Sequence, residues 1–443
     1  GATGVSQNAS TSLNVNELSA QSTSGAVTLG AAGNLVNSLF LGSASSTFTL
    51  NDSAGGLNLT GAVTGGSGLT TITTSGGALN LSTFGVSGTG VTLSGGGVTQ
   101  TSGTINGGSG DVSLNGNASA VSLGGSITTT STLATAVGIS GATTLQIGNI
   151  TAGSGGTVTL SHTAAGTQAG GTTISGAGVN VTKQGAGTLT LSSANTYGGA
   201  TSINGGTLSI SSDGNLGTAP LVATPGQLSF NGGTLETTAT FTLNANRGIA
   251  LSAGGGTIQV DPTFTTTYNG IATGAGALTK TGTGTLVLGG ANTYGGATTI
   301  TAGTIADGIA NALPTATALT VTSPGTLDLA GFNQTVASVT STGTVTDSGV
   351  AATFTVNNAG ADTFAGTLTG ANLSLAKTGA GTLTLSSANT YGGSTSITAG
   401  TIADGIANAL PTATALTVTS PGTLDLAGFN QTVASVTSTG TVT

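Results

Sequence analysis

Among side chains that could do chemistry, histidine occurs once: His162 is the only one in 443 residues, so any Ser-His-Asp relay would have to run through it. Its nearest acids in sequence, Asp111 and Asp213, each lie 51 residues away (162 − 111 and 213 − 162), and a single histidine also excludes the paired-histidine metal motifs. No cysteine is present, which removes thiolate nucleophiles, thiolate metal sites and disulfides together. Cleavage of a polysaccharide needs a close pair of carboxylates, or carboxylates with a cation to meet developing charge. The cations are Lys183, Arg247, Lys280 and Lys377, and three of these four recur at one position of an internal repeat, which marks them as structural. The expectation is of no enzyme, and of no catalytic, cofactor-binding or metal-binding residue.

Four weaker signals remain. Gly107, Gly108, Ser109, Gly110 and Asp111 resemble the calcium-binding nonapeptide, but the acid arrives one residue early and the motif does not recur. Asp307, Asp328 and Asp347 follow at 21 and 19 residues, with Asp404 and Asp425 repeating the first two. Carboxylates stacked on one edge would be relieved by solvent or by a shared Ca²⁺, the one cofactor that the sequence suggests. Tyr197, Tyr294 and Tyr391 could form a sugar-stacking ladder. Each, however, stands between Asn-Thr and Gly-Gly, a turn signature, so the ring is expected to cover a corner. Asn-x-Ser/Thr triplets at Asn8, Asn58, Asn117 and Asn333 are cheap matches in so Ser/Thr-rich a chain.

The elements that would carry these residues follow from composition and period. Only 4% of residues are charged, where a soluble domain has roughly 25%. Four Lys and Arg against 12 Asp and Glu leave a formal charge of −8, the wrong sign for a binder of phosphate backbones. Glycine reaches 80 residues, yet the chain is not a flexible linker. Apolar residues alternate with Ser and Thr in run after run, as in Thr188, Leu189, Thr190, Leu191 and Thr285, Leu286, Val287, Leu288. A period of two bounded by glycine means strands with one buried face.

Internal repeats set the architecture. The strings KQGAGTLTLSSANTYGG from Lys183, KTGTGTLVLGGANTYGG from Lys280 and KTGAGTLTLSSANTYGG from Lys377 are spaced by 97 residues (280 − 183 and 377 − 280), and residues 301–346 recur unchanged as 398–443. Gly-Thr steps at Gly284, Gly303, Gly325, Gly343, Gly366 and Gly381 divide one unit into five intervals, hence an expected coil near 20 residues. Coils of that length bury their apolar face only by stacking. The prediction is an all-β parallel β-helix, a β-solenoid, with divergent coils over 1–180 and 97-residue repeats over 181–443. Five coils per unit would place Lys183, Lys280 and Lys377 on one line.

Residues 278–305 and their two sister segments resemble the passenger-associated strand repeat of bacterial autotransporters, from a Lys-Thr-Gly start through Asn-Thr-Tyr-Gly-Gly to a Gly-Thr finish. Residues 1–180 resemble filamentous-haemagglutinin-type β-helices more loosely. The resemblance implies a right-handed parallel β-helix as passenger, exported across an outer membrane, with the export machinery as partner and the cell surface or extracellular space as location. It covers about 28 residues three times, and the family's carboxy-terminal barrel is absent from this sequence.

The functional expectation is a rigid surface fibre or stalk. The alternative is an adhesin whose site for a surface glycan or host ligand lies on bulging loops such as 306–317 and 403–414; a polysaccharide-degrading β-helix stands third. No initiator Met is present, so a processed chain or a piece of a longer one is expected. The stop at Thr443, in the register of Thr346, predicts an open end that self-associates end to end or continues in further coils.

Overall fold

The computed structural model describes residues 4–53 and 55–443, and these are all-β: short strands stack coil on coil in parallel ladders, with no α-helix among the described residues. Two compact units are distinguished, Gly1–Ile210 with Gly214–Ala219, and Ser211–Asp213 with Pro220–Thr443.

In the first unit the alternation read from the sequence becomes columns running across the coils. Leu29, Leu50, Ile72, Leu93, Leu114, Ile139 and Leu160 stand in register and point inward, and Lys183 and Ile203 continue the column. One residue earlier, Thr28, Thr49, Thr71, Thr92 and Ser113 form the matching outward column. β-Branched and aliphatic side chains stacked at the ladder spacing of about 4.8 Å fill a thin interior without any helix to cover it.

In the second unit each coil has three sides. Side one includes the strands Leu278–Thr281, Thr298–Ile300, Ala318–Val321, Ser338–Ser341, Ala361–Phe364 and Thr382–Leu385. Side two includes Thr265–Tyr268, Thr285–Leu288, Thr304–Asp307, Thr326–Asp328 and Thr344–Thr346. Side three includes Gln334–Val336, Ala352–Val356, Leu373–Lys377 and Thr395–Ile397. On side one Lys280, Ile300, Val321, Ser341, Phe364 and Leu385 are successive partners. Five coils thus take 385 − 280 = 105 residues, or 21 each, slightly more than the sequence suggested.

This length corrects the expected line of lysines. Gly284, Gly303, Gly325, Gly343 and Gly366 all precede side-two strands, but Gly381 precedes the side-one strand Thr382–Leu385. The last interval is two sides rather than a coil, so 97 residues span four coils and two sides. Lys280 therefore lies on side one between Ile258 and Ile300, whereas Lys377 lies on side three between Val356 and Ile397. The physical reason is that every side is the same kind of short alternating strand. A repeat must be a whole number of sides, not of coils.

The aspartate series is corrected as well. Asp307 continues the inward column Leu243, Tyr268, Leu288, while Asp328 pairs in register with Ala306 and so faces the other way. Residues 306–317 do not bulge either. They turn Ala312 and Leu313 fully inward as part of side three, leaving only short stretches exposed.

Candidate functional site

The repeat motif recurs because three of its side chains staple coils together. Lys280 alternates inward on a short strand, so its chain lies within the aliphatic column and its ammonium reaches the corner into side two. There Nζ donates to the carbonyls of Thr281 (2.7 Å), Gly282 (2.8 Å) and, one coil on, Ala302 (3.3 Å). Lys183 does the same with Gln184, Gly185 and Gly205, and Lys377 bonds Gly379. All three are fully buried. Burial pushes the ammonium groups of Lys183 and Lys280 down to about 8. It lowers Lys377 too, against the pull of Asp362. An ammonium has three donors and no acceptor, which suits a corner where three carbonyls converge.

Asparagine is the second staple. Asn292 accepts from Ala272 N (2.7 Å) and donates to Gly290 O (3.0 Å) and Ala312 O (2.7 Å), so one amide ties three successive coils. Asn389 repeats this with Leu368, Ser387 and Ala409.

Tyrosine is the third. Tyr197, Tyr294 and Tyr391 are at most 2% exposed, so no ring face is available to a sugar, and each hydroxyl meets a threonine: Thr201 at 2.8 Å, Thr298 at 2.6 Å and Thr395 at 2.6 Å. In the second and third copies the chain of hydroxyls goes on to Thr317 and Thr414, both at 3.0 Å. Burial drives the Tyr294 and Tyr391 phenols well above their ordinary range. Tyr294→Phe keeps the ring and strands Thr298 with one partner fewer. A loss of about 1–2 kcal/mol is expected in denaturant unfolding, and Tyr391→Phe should match it; an unchanged midpoint would mean the hydroxyl relay is idle.

The residues weighed for catalysis are not assembled into a relay. His162 is 1% exposed; its Nδ1 meets Ala164 O at 3.0 Å, and its Nε2 is buried without a partner. Burial and then the nearby Lys183 charge lower its pKa. A hollow of about 150 Å³ lies beside it, lined by Gly141, Thr143, Ser161 and Thr163 among others. Asp111 accepts from the hydroxyls of Ser131 (2.6 Å) and Thr135 (2.5 Å), one on each carboxylate oxygen. Asp213 clasps Arg247 through Nε (2.8 Å) and Nη2 (3.1 Å). Among the described residues no three His, Asp or Glu side chains gather as a metal site. No helix there is long and apolar enough to cross a membrane.

Two features escaped the sequence reading. Asp307 and Asp404 are buried carboxyls whose oxygens have no hydrogen-bond partner; a Thr-Ile-Ala-Asp run looks like any other strand ending in a polar turn. On the outside of the first unit Asn37 donates to Asn16 (2.7 Å) and Asn80 to Asn58 (3.1 Å), an exposed amide ladder whose spacing near one coil was the available signal.

Comparison with known proteins agrees with this anatomy. The family described as passenger-associated-transport-repeat matches residues 181–210, 278–306 and 375–403, the segments that carry the staples. The protein named Adhesin BmaC autotransporter, from Brucella suis biovar 1 (strain 1330), is 40% identical over 89 residues, 20% of this chain and 3% of that protein. No solved structure matches. By their names the matched family is a transport-associated passenger repeat and the relative an adhesin autotransporter, which sets the likeness among exported, surface-exposed proteins. With lysine, asparagine and tyrosine of each matched segment turned inward to lock its coils, the chain is a β-solenoid that carries three segments similar to the passenger-associated-transport repeat.

Proposed function

We propose that this chain is a rigid structural segment of an exported surface protein, a stalk or fibre whose work is mechanical display. The observation that carries the reading is where the repeat spends its polar groups: Lys280, Asn292 and Tyr294 all point into the coil and bond its backbone or threonines, leaving none of the motif's distinctive chemistry facing solvent. Parallel ladders closed by such staples resist local opening, because each coil is held by both neighbours. No resident cofactor belongs to this reading, and Ca²⁺ and a chelator should give the same melting temperature. The direct test is electron microscopy of the purified chain with protease challenge. Straight, protease-resistant rods support the stalk; globules or rapid cleavage within 278–403 defeat it.

A second reading, adhesion to a surface glycan or host ligand, is favoured by the name of the relative that 89 residues resemble. Cells displaying the chain would then bind a host surface, and bare display without binding would leave the stalk alone. The export machinery of an outer membrane is the expected partner in both.

A further inference from the structure

The large apolar side chains exposed between Pro220 and Val350 all fall on one corner of the second unit, the corner leading into side three. They are Leu221 (97% exposed), Val222 (71%), Ile271 (49%), Ile309 (38%), Phe332 (38%) and Val350 (74%). The corner is continuous through the coils. Thr224 N bonds Asn246 O (2.9 Å) and Asn311 N bonds Asn333 O (2.8 Å). A Cβ on Gly270 would sit 2.5 Å from Ala245 O, one on Gly290 1.9 Å from Gly270 O, one on Gly308 3.0 Å from the Gly289 backbone, and one on Gly331 3.0 Å from the Val350 side chain.

Three further properties define what fits this seam. First, its corner segments (220–223, 244–246, 269–271, 289–291, 308–310, 330–332 and 348–350) contain no Asp, Glu, Lys or Arg. Second, its most prominent knob is held outward: Asn246 Nδ2 bonds Pro220 O (3.0 Å) and Thr224 Oγ1 bonds Val222 O (2.9 Å). Third, the knob stands beside a hollow of about 370 Å³ lined by Ala223, Pro225, Ala245, Gly248 and Ile271. Contiguous exposed apolar surface on this scale marks an interaction site.

We propose that the seam pairs side by side with the same seam on a second copy of the chain. A knob adjacent to a hollow is self-complementary under a two-fold axis, since each Leu221 enters the hollow of the other copy. Two chains of charge −8 repel at long range, and the carboxylates that border the seam are tied down along it: Asp328 accepts from Ala330 N and Ser348 N, Asp347 from Gly331 N, and Asp213 from Asn244 N and Arg247. The exposed fractions of the six side chains amount to roughly 600 Å² per copy, hence about 1,200 Å² for the pair, the lower bound of specific interfaces. This lateral contact goes beyond the stalk reading, and it would bundle or bridge displayed copies.

Sedimentation of the 443-residue chain from micromolar to near-millimolar concentration tests it. A concentration-dependent dimer is expected, with Leu221→Asp/Val222→Asp weakening association at least about a hundredfold at unchanged melting temperature. Because the chain has no cysteine, Leu221→Cys/Ala245→Cys should give a disulfide-linked dimer on oxidation, and this readout stands even if the aspartate variant folds poorly. A wild type that stays monomeric throughout overturns the proposal. So does a dimer indifferent to the aspartates that does not cross-link, and so does a monomer that instead floats with neutral phosphatidylcholine vesicles.

Discussion

Lys280→Met should lower the stability of the second unit by about 2–4 kcal/mol at neutral pH, even though methionine fills nearly the same space. The exchange leaves the carbonyls of Thr281, Gly282 and Ala302 at a buried corner without their shared donor, and each buried unsatisfied group costs about 1–3 kcal/mol. Sparing the ammonium its desolvation returns part of this, which is why the net falls below the sum. Neutral pH is the right condition, because burial lowers this ammonium only to about 8 and it remains charged at 7. The same corner can be opened from the other side. Gly303 has φ +64°, and a Cβ there would meet Gly284 O at 2.3 Å and Lys280 Nζ at 2.8 Å. Gly303→Ala should therefore destabilise comparably through backbone strain and loss of the lysine contact. Denaturant unfolding with hydrogen exchange over 278–305 provides the measurement. Unchanged midpoints would show that the lysine merely occupies the corner.

The second large effect is a response to acid with an unusual sign. Burial, and then Asp425, raise the Asp404 carboxyl to about 6; burial, and then Asp328, raise Asp307 well above the carboxylate range. A carboxyl whose folded pKa exceeds its unfolded value of 3.8 binds its proton more tightly when folded. Its contribution is fully present below about pH 4 and lost as pH rises through about 6. The second unit should therefore become more stable between pH 7 and pH 5, and Asp307→Asn/Asp404→Asn should flatten that slope. Asp307→Leu would continue the inward column of Leu288 and should stabilise the protein at pH 7 by about 1–3 kcal/mol. In the first unit His162 works the other way. Its pKa is lowered on folding, so the unfolded chain binds the proton more readily and stability falls as pH drops below about 6.5. Hydrogen exchange at pH 7 and pH 5, corrected for intrinsic rates, should show protection rising in one unit and falling in the other. Parallel changes in both would falsify the assignment.

Much of the solenoid could be read from Leu and Thr in alternation, because inside-outside patterning is a local property of a strand. The passenger resemblance of residues 278–305 was likewise local. The number of coils per repeat was not: the Gly-Thr pair at Gly381 looks identical to that at Gly284, and only the ladder reveals that they lie at different corners. The direction of Asp328 relative to Asp307 depends on a one-residue register difference that spacing alone blurs. The buried fate of Lys280 was hidden for another reason. Its stem is aliphatic, and only the convergence of carbonyls from two coils makes the interior habitable for its charge.

The two copies of the 46-residue block, 301–346 and 398–443, give a mechanical meaning to genetic accident. Recombination between such duplicated tracts removes or adds 97 residues at a time. Fourteen sides lost or gained leave every remaining strand a suitable side to stack on, so the join heals without a frayed coil. Everything beyond it is nevertheless rolled about the axis by a third of a turn. Repeat number then acts as an indexing device: one event re-aims the distal surface, and only a third restores its original heading.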